Sequence, residues 1–475
     1  MAGWTGKAAS VVLVFLATWG GAIMYWRGSG AVPSGMDMLL YLGLLPAGVS
    51  SAGFAVNGLV RQGVGKALDM TSANPAEAAP ATSTGAAHAE APGSIAVLAG
   101  EINLGVGMDA ATLLATSVAP PRPVLSSRFR DAQNLPIRVS AADGLDEFDV
   151  LGERENGIDT TARERRALAL LAPVLDELSS RVASLLPQVA ASEEVVVAGL
   201  RRSDERRLDC VLTVELLLEP GWSDALLHWV RDWLTHRLVE TGIDTRRFEV
   251  NINLVSDGVD VWRHVQQLAG TLSNTTERWH LLLACGSSID LDVIQSWLAN
   301  GQLATSRNPG GRVPGEGAAG VLFASPDLAQ QDGAKLWKPR ALDDGGTSSA
   351  RAGERRRQLV GAAEQWKQSL EPEATAIQFV IHDAAPGDDS VVDAALLTAA
   401  LNPDLDFGAG SLALVASAGE LGSVLPVVQL ALAFEQVRRS TEPALVLAGS
   451  GSLSRLLALM SASSSHQAAD LPSVT

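Results

Sequence analysis

NPGGRVPGEGAAGVLF, residues 308–323, is the stretch on which the reading of the fold turns. Gly315 and Gly317 flank Glu316, so the backbone on either side of that carboxylate is free to adopt conformations closed to other residues. Ala318 and Ala319 then allow a second backbone to come close, and the apolar run ending at Phe323 reads as a strand buried on both faces.

Outward from that turn, short apolar runs alternate with amphipathic stretches. SIAVLAGEI (94–102), VVVAGL (195–200), DCVLTVELLL (209–218), FEVNINLV (248–255), WHLLLACG (279–286), AIQFVIH (376–382), SLALVAS (411–417) and ALVLAGS (444–450) read as strands. Residues 161–186, 223–240, 259–272, 391–400 and 425–438 read as helices. Alternation on this scale predicts an α/β class with helices outside mixed or parallel sheets. The polar run KPRALDDGGTSSARAGERRR (338–357) lacks either periodicity and reads as a connection between two halves.

Composition narrows the function. A net charge of −17 lacks the basic footprint that phosphate binding needs, which excludes nucleic acid as a main ligand. Two cysteines, Cys210 and Cys285, form neither a disulfide framework nor a zinc pattern, and a reducing compartment fits them. At the N-terminus, residues 8–26 and 38–60 are uncharged and each about as long as the roughly 20 helical residues a bilayer requires. Residues 1–70 therefore read as a two-helix membrane anchor. Lys7 before the first span and Arg61 and Lys66 after the second outnumber Arg27 in the connection, a bias that puts both ends inside and the large domain in the cytoplasm at a bacterial inner membrane. The Ala-, Pro- and Ser-rich residues 71–93 read as a disordered linker, and 463–475 as a disordered tail.

WHLLLACGSSIDLDVIQSWLANGQLATSRNPGGRVPGEGAAGVLF (279–323) resembles the middle of the β-ketoacyl synthase group of the thiolase superfamily. IAVLAGEINLGVGMDAATLL is similar to that family's first strand and following helix, and FVIHDAAPGDDSVVDAAL to its His-bearing loop. ASAGELGSVLPVVQLALAFEQ is similar to the later Gly-His loop, and ALVLAGSGSLSRLLAL to the last Gly-rich turn, containing Gly449 and Gly451. The resemblance implies a thiolase-like layered α-β-α-β-α fold of two similar halves, 94–337 and 358–462. It makes the 315–317 turn a shaper of the core, with Glu316 a buried hydrogen-bonding residue. It also implies a homodimer or heterodimer and an acyl thioester or acyl-carrier partner.

By the same resemblance, the nucleophile turn falls at NLVSDGVDVWRHV, which contains no Cys. Ser256 is the nearest hydroxyl, and Asp257 beside it puts a negative charge where an activated nucleophile is wanted; helix capping is the ordinary role of both. Cys285 lies on the next strand as a small core residue. The first family His corresponds to His382, while the second is replaced by Glu420, a carboxylate where a neutral donor is needed. Because nucleophile and donors act as a unit, condensation is expected to be lost. Three readings follow: a pseudoenzyme acting as scaffold, partner subunit or acyl binder; an acyltransferase or hydrolase using Ser256, His382 and Glu420; or an accessory component of an envelope or secretion assembly. No cofactor is implied. His228 and His236 are eight apart on one helix, and His264 and His280 fall on separate elements, so no zinc-like spacing is present along the chain.

Overall fold

The computed structural model describes residues 93–463, apart from 108, 118, 146–157, 188–193, 198–199, 204–209, 343–351, 372–374, 386–387 and 450–454. The two expected membrane spans, most of the linker and tail, and Gly451 lie outside the described residues. Among the described residues no helix is long and apolar enough to cross a membrane.

The first half runs from β1 (Ser94–Leu104) through α1 (Ala110–Ala115), the hairpin β2 (Val124–Arg130) and β3 (Pro136–Val139), and α2 (Ala162–Leu185). It continues with the hairpin β4 (Glu194–Val197) and β5 (Leu200–Ser203), then β6 (Leu212–Leu218), α3 (Asp224–Glu240), β7 (Phe248–Leu254) and α4 (Gly258–Leu272). β8 (Trp279–Ser287), α5 (Leu291–Ala299) and β9 (Glu316–Ala324) complete it. The second half contains β10 (Ala334–Trp337), β11 (Arg340–Leu342), α6 (Ala352–Gln368), β12 (Phe379–His382) and α7 (Asp389–Leu401). β13 (Ser411–Ala413), α8 (Leu414–Ala418), α9 (Leu425–Ser440), β14 (Ala444–Ala448) and β15 (Arg455–Ala462) follow.

The helix starts obey capping chemistry. Thr161 and Glu164 make a reciprocal capping box on α2, and Ser223, Asp257, Asp290 and Asp388 each accept a backbone N–H at the start of α3, α4, α5 and α7.

The strands reveal an internal duplication. In the first half the order is β7-β6-β8-β9-β1, with β7, β6 and β8 mutually parallel and β9 antiparallel to both of its neighbours. In the second half the order is β13-β12-β14-β15-β10, with the same pattern of directions. The halves join where β1 pairs with β10.

Three apolar clusters define layers. The central one packs α4 and α9 between inward residues of both halves, such as Val321 on β9 and Val446 on β14. A second joins α2 and α3 to the opposite face of β6, β8 and β9, and a third joins α6 and α7 to the opposite face of β12, β14 and β15. Helix, sheet, helix, sheet, helix is the resulting sequence of layers.

Two expected boundaries shift. The 338–357 run is not wholly a connection, since β11 and the start of α6 lie within it, and by topology the second half already begins at β10. β11 is only three residues long and the start of α6 is largely exposed, so neither leaves an apolar period in the sequence. The 195–200 run forms a separate β4–β5 hairpin outside the large sheet.

Candidate functional site: a carboxylate-lined cavity

At the end of β7 the chain turns sharply into α4, and this corner borders a cavity of about 860 Å³. Ser256, Asp257, Gly315, Glu420 and Gly449 line it, together with residues absent from the expected set, notably Glu219, Trp262, Asp383 and Arg455. Among the described residues, the lining includes no Cys and no His.

The groups that would stabilise a reacting anion are taken by the protein's own carboxylates. Asp257 Oδ1 accepts from Val259 N at 2.9 Å and from Asp260 N at 3.0 Å, occupying the N-terminus of α4. On the facing turn, Glu420 Oε1 accepts from Gly422 N at 3.4 Å and Glu219 Oε1 from Ser423 N at 3.1 Å. Gly422 has φ +55°, and a Cβ there would collide with the Glu219 carboxylate. The left-handed backbone favours glycine here, and any side chain would also have to displace the Glu219 carboxylate. Glu219 was open to detection as a charged residue directly after the apolar run of β6, the usual place for a site residue at a strand's C-terminal end.

The two sides of the cavity are locked together. A Cβ at Gly315 would meet the carbonyl of Ala418, and Glu420 N donates to Val313 O at 2.8 Å. Glu316, fully buried, does not line the cavity. It accepts from Arg166 at 2.6 and 2.8 Å, from Ser287 Oγ at 2.8 Å and from Ala142 N at 2.8 Å. Gly317 packs on Leu104 beneath it.

The hydrolase-like constellation is not assembled. Ser256 and Glu420 share the cavity, but His382 is not among its lining residues. The imidazole is buried and stacked on Phe407 with centroids 5.2 Å apart, and its Nδ1 has no hydrogen-bond partner among the described residues. Burial pushes its pKa down to about 4. It is the next residue, Asp383, that reaches the cavity, where Oδ2 accepts from Gly449 N at 2.7 Å. Ser256 N donates to Asp260 Oδ2 at 3.2 Å, a contact of the capped helix start. Cys285 belongs to the apolar cluster under α2 and α3, on the other face of the sheet from α4, and burial pushes its thiol pKa up. It offers no thiolate to the cavity.

Folding does assemble one group that spacing along the chain conceals. Glu215 on β6, His264 on α4 and His280 on β8 converge, with both imidazole Nε2 atoms on Glu215 Oε2, at 2.7 and 2.9 Å. Burial alone would raise the pKa of Glu215, but hydrogen bonds from His264 and His280 outweigh it and hold the group at about 2. His264 and His280 do lie on separate elements, and the absence of close ligand spacing along the chain does not keep them from meeting at Glu215.

No family model matches the sequence, and no curated protein matches it. Solved structures do. The ketosynthase from module 6 of the bacillaene synthase of Bacillus subtilis superposes with a TM-score of 0.50 at 11% identity, over 78% of this chain and 72% of that one. An oxazolomycin ketosynthase domain from Streptomyces albus gives 0.49 at 13% identity, over 78% and 75%. The ishigamide ketosynthase/chain length factor gives 0.47 at 16%, over 78% and 99%. At such identities the likeness to the bacillaene ketosynthase shows the fold alone: the described residues adopt a mixed α/β, thiolase-like ketosynthase fold.

Proposed function

We propose that this chain is a ketosynthase-fold protein that no longer condenses acyl groups and works by binding, as an acyl binder or as the non-condensing partner in a dimer of thiolase-like chains. One observation carries this reading. The backbone donors at the start of α4 and at the 420–423 turn are already satisfied by Asp257, Glu420 and Glu219. Acyl transfer needs such donors open to a developing oxyanion, and a fixed carboxylate in their place repels that charge. With neither a thiol nor an imidazole among the described lining residues, the thiolate and imidazole of a condensing enzyme are missing from them, and Ser256 has no histidine base beside it in the lining. The cavity nevertheless has the volume of a small-molecule site, which favours retained binding. In this reading residues 8–26 and 38–60 anchor the chain in the inner membrane, with the ketosynthase-like domain on the cytoplasmic side.

The test is intact-mass spectrometry of the full chain in detergent after incubation with acyl-CoA and acyl-carrier thioesters, alongside calorimetric titration with the same donors. The expected outcome is no covalent adduct with any donor. An adduct that forms on the wild type and disappears in Ser256→Ala would overturn the reading and name the nucleophile.

A further inference from the structure

Glu215, His264 and His280 stand on the α4-facing side of the first-half sheet, and none of them lines the cavity. Residues 214, 216 and 218 of β6 point into the cluster under α2 and α3, so Glu215 points the other way, toward α4. His280 does the same on β8, between residues 279 and 281, which face the α2 side. His264 comes down from α4 to meet them. Glu215 and His280 are buried, whereas the His264 side chain is 27% exposed, so the cluster has one wall open to solvent.

We propose that these three side chains form a binding site for a divalent transition metal of the zinc class. The donor set is two imidazole nitrogens and one carboxylate, a combination that suits zinc and its first-row neighbours better than magnesium or calcium, which take oxygen ligands. One ligand atom from each residue lies within 4.8 Å of the others. In a tetrahedral site with bonds of about 2.0–2.1 Å, ligand atoms stand roughly 3.3 Å apart. The observed Nε2–Oε2 separations of 2.7 and 2.9 Å need to open by only about half an ångström to admit an ion. Each imidazole then turns the lone pair of Nε2 to the metal and carries its hydrogen on Nδ1.

The carboxylate is also oriented from behind. Asn253 Nδ2, on the neighbouring strand β7, donates to Glu215 Oε1 and leaves Oε2 aimed at the imidazoles. A hydrogen-bonded carboxylate of this kind is the support that metal ligands usually have. Three protein ligands leave a fourth position, on the open side of His264, for water or another donor.

The test uses the untagged full chain in detergent and metal-free buffer, titrated with Zn²⁺ by calorimetry and with Co²⁺ by visible absorption. The expected result is one Zn²⁺ per chain and a Co²⁺ spectrum of four-coordinate type, both lost in His264→Ala and in Glu215→Gln. Asn253→Ala, a positioning residue, is expected to weaken Zn²⁺ binding by about 10- to 100-fold without abolishing it. His264 lies on a helix and is partly exposed, so its variant should fold even where Glu215→Gln does not; circular dichroism checks this. Absence of stoichiometric binding by the wild type, or undiminished binding by a folded His264→Ala, overturns the proposal. The second result would mean adventitious capture elsewhere, for instance at His88 or His466.

Discussion

A single buried imidazole sets a pH dependence that the family resemblance would not suggest. His382 is only 3% exposed, its Nδ1 has no partner among the described residues, and burial lowers its pKa from 6.5 to about 4. The unfolded chain binds a proton on this residue near pH 6.5, whereas the folded chain resists doing so until about pH 4. Between those values the unfolded state holds more protons, so stability rises with pH. The contribution is complete above pH 6.5 and is lost as pH falls through 4, amounting to about 3 kcal/mol at 1.36 kcal/mol per unit. His382→Gln is therefore expected to flatten the urea midpoint against pH over this window. A variant whose profile keeps the wild-type slope would show that other groups set it. As a catalytic base such a residue is poorly placed, since it faces Phe407 and an apolar layer instead of the cavity.

The turn into β9 shows how much of an element can be read from residues alone. Two glycines and two alanines around Glu316 indicate close backbone approach, and all nine residues of β9 are indeed buried. What the sequence cannot contain is the partner: Arg166 comes from α2, 150 residues away. The same limit hides the convergence of His264 and His280 on Glu215, because each residue follows the periodicity of its own element and only strand order brings the elements together. Conversely, the corner between β7 and α4 is legible because capping is local, with Asp257 and its N–H donors only two and three residues apart. The Glu316–Arg166 pair also makes a quantitative prediction. Both side chains are almost wholly inaccessible, so Arg166→Met leaves a buried carboxylate uncompensated and is expected to cost about 3–5 kcal/mol in urea unfolding. Glu316→Gln added to it removes the stranded charge and should recover part of the loss. Simple additivity of the two substitutions would show that lost packing, and not the buried charge, dominates.

At the scale of the molecule, the duplication raises the question of whether the halves are two folding units or one. Each half repeats the same five-strand order, which would allow each to be stable alone. The packing argues otherwise. α4 from the first half and α9 from the second lie in one apolar cluster with inward residues from both sets of strands, so neither half has a complete core without the other. α9 is buried along most of its length, including Val427, Val428, Leu430, Ala431, Leu432 and Phe434, against β1 and β9 as well as β14 and β15. Exposing that helix on one side would cost on the order of 25 cal/mol for each Å² of apolar surface returned to water. The strands β1 and β10 add a direct ladder between the halves. Hydrogen exchange in increasing urea is therefore expected to show β6, β8 and β9 losing protection at the same denaturant concentration as β12, β14 and β15. Separate midpoints for the two sets would mean that the outer clusters under α2 and α6 each sustain a half, and that the shared helical layer is an interface between domains instead of a common core.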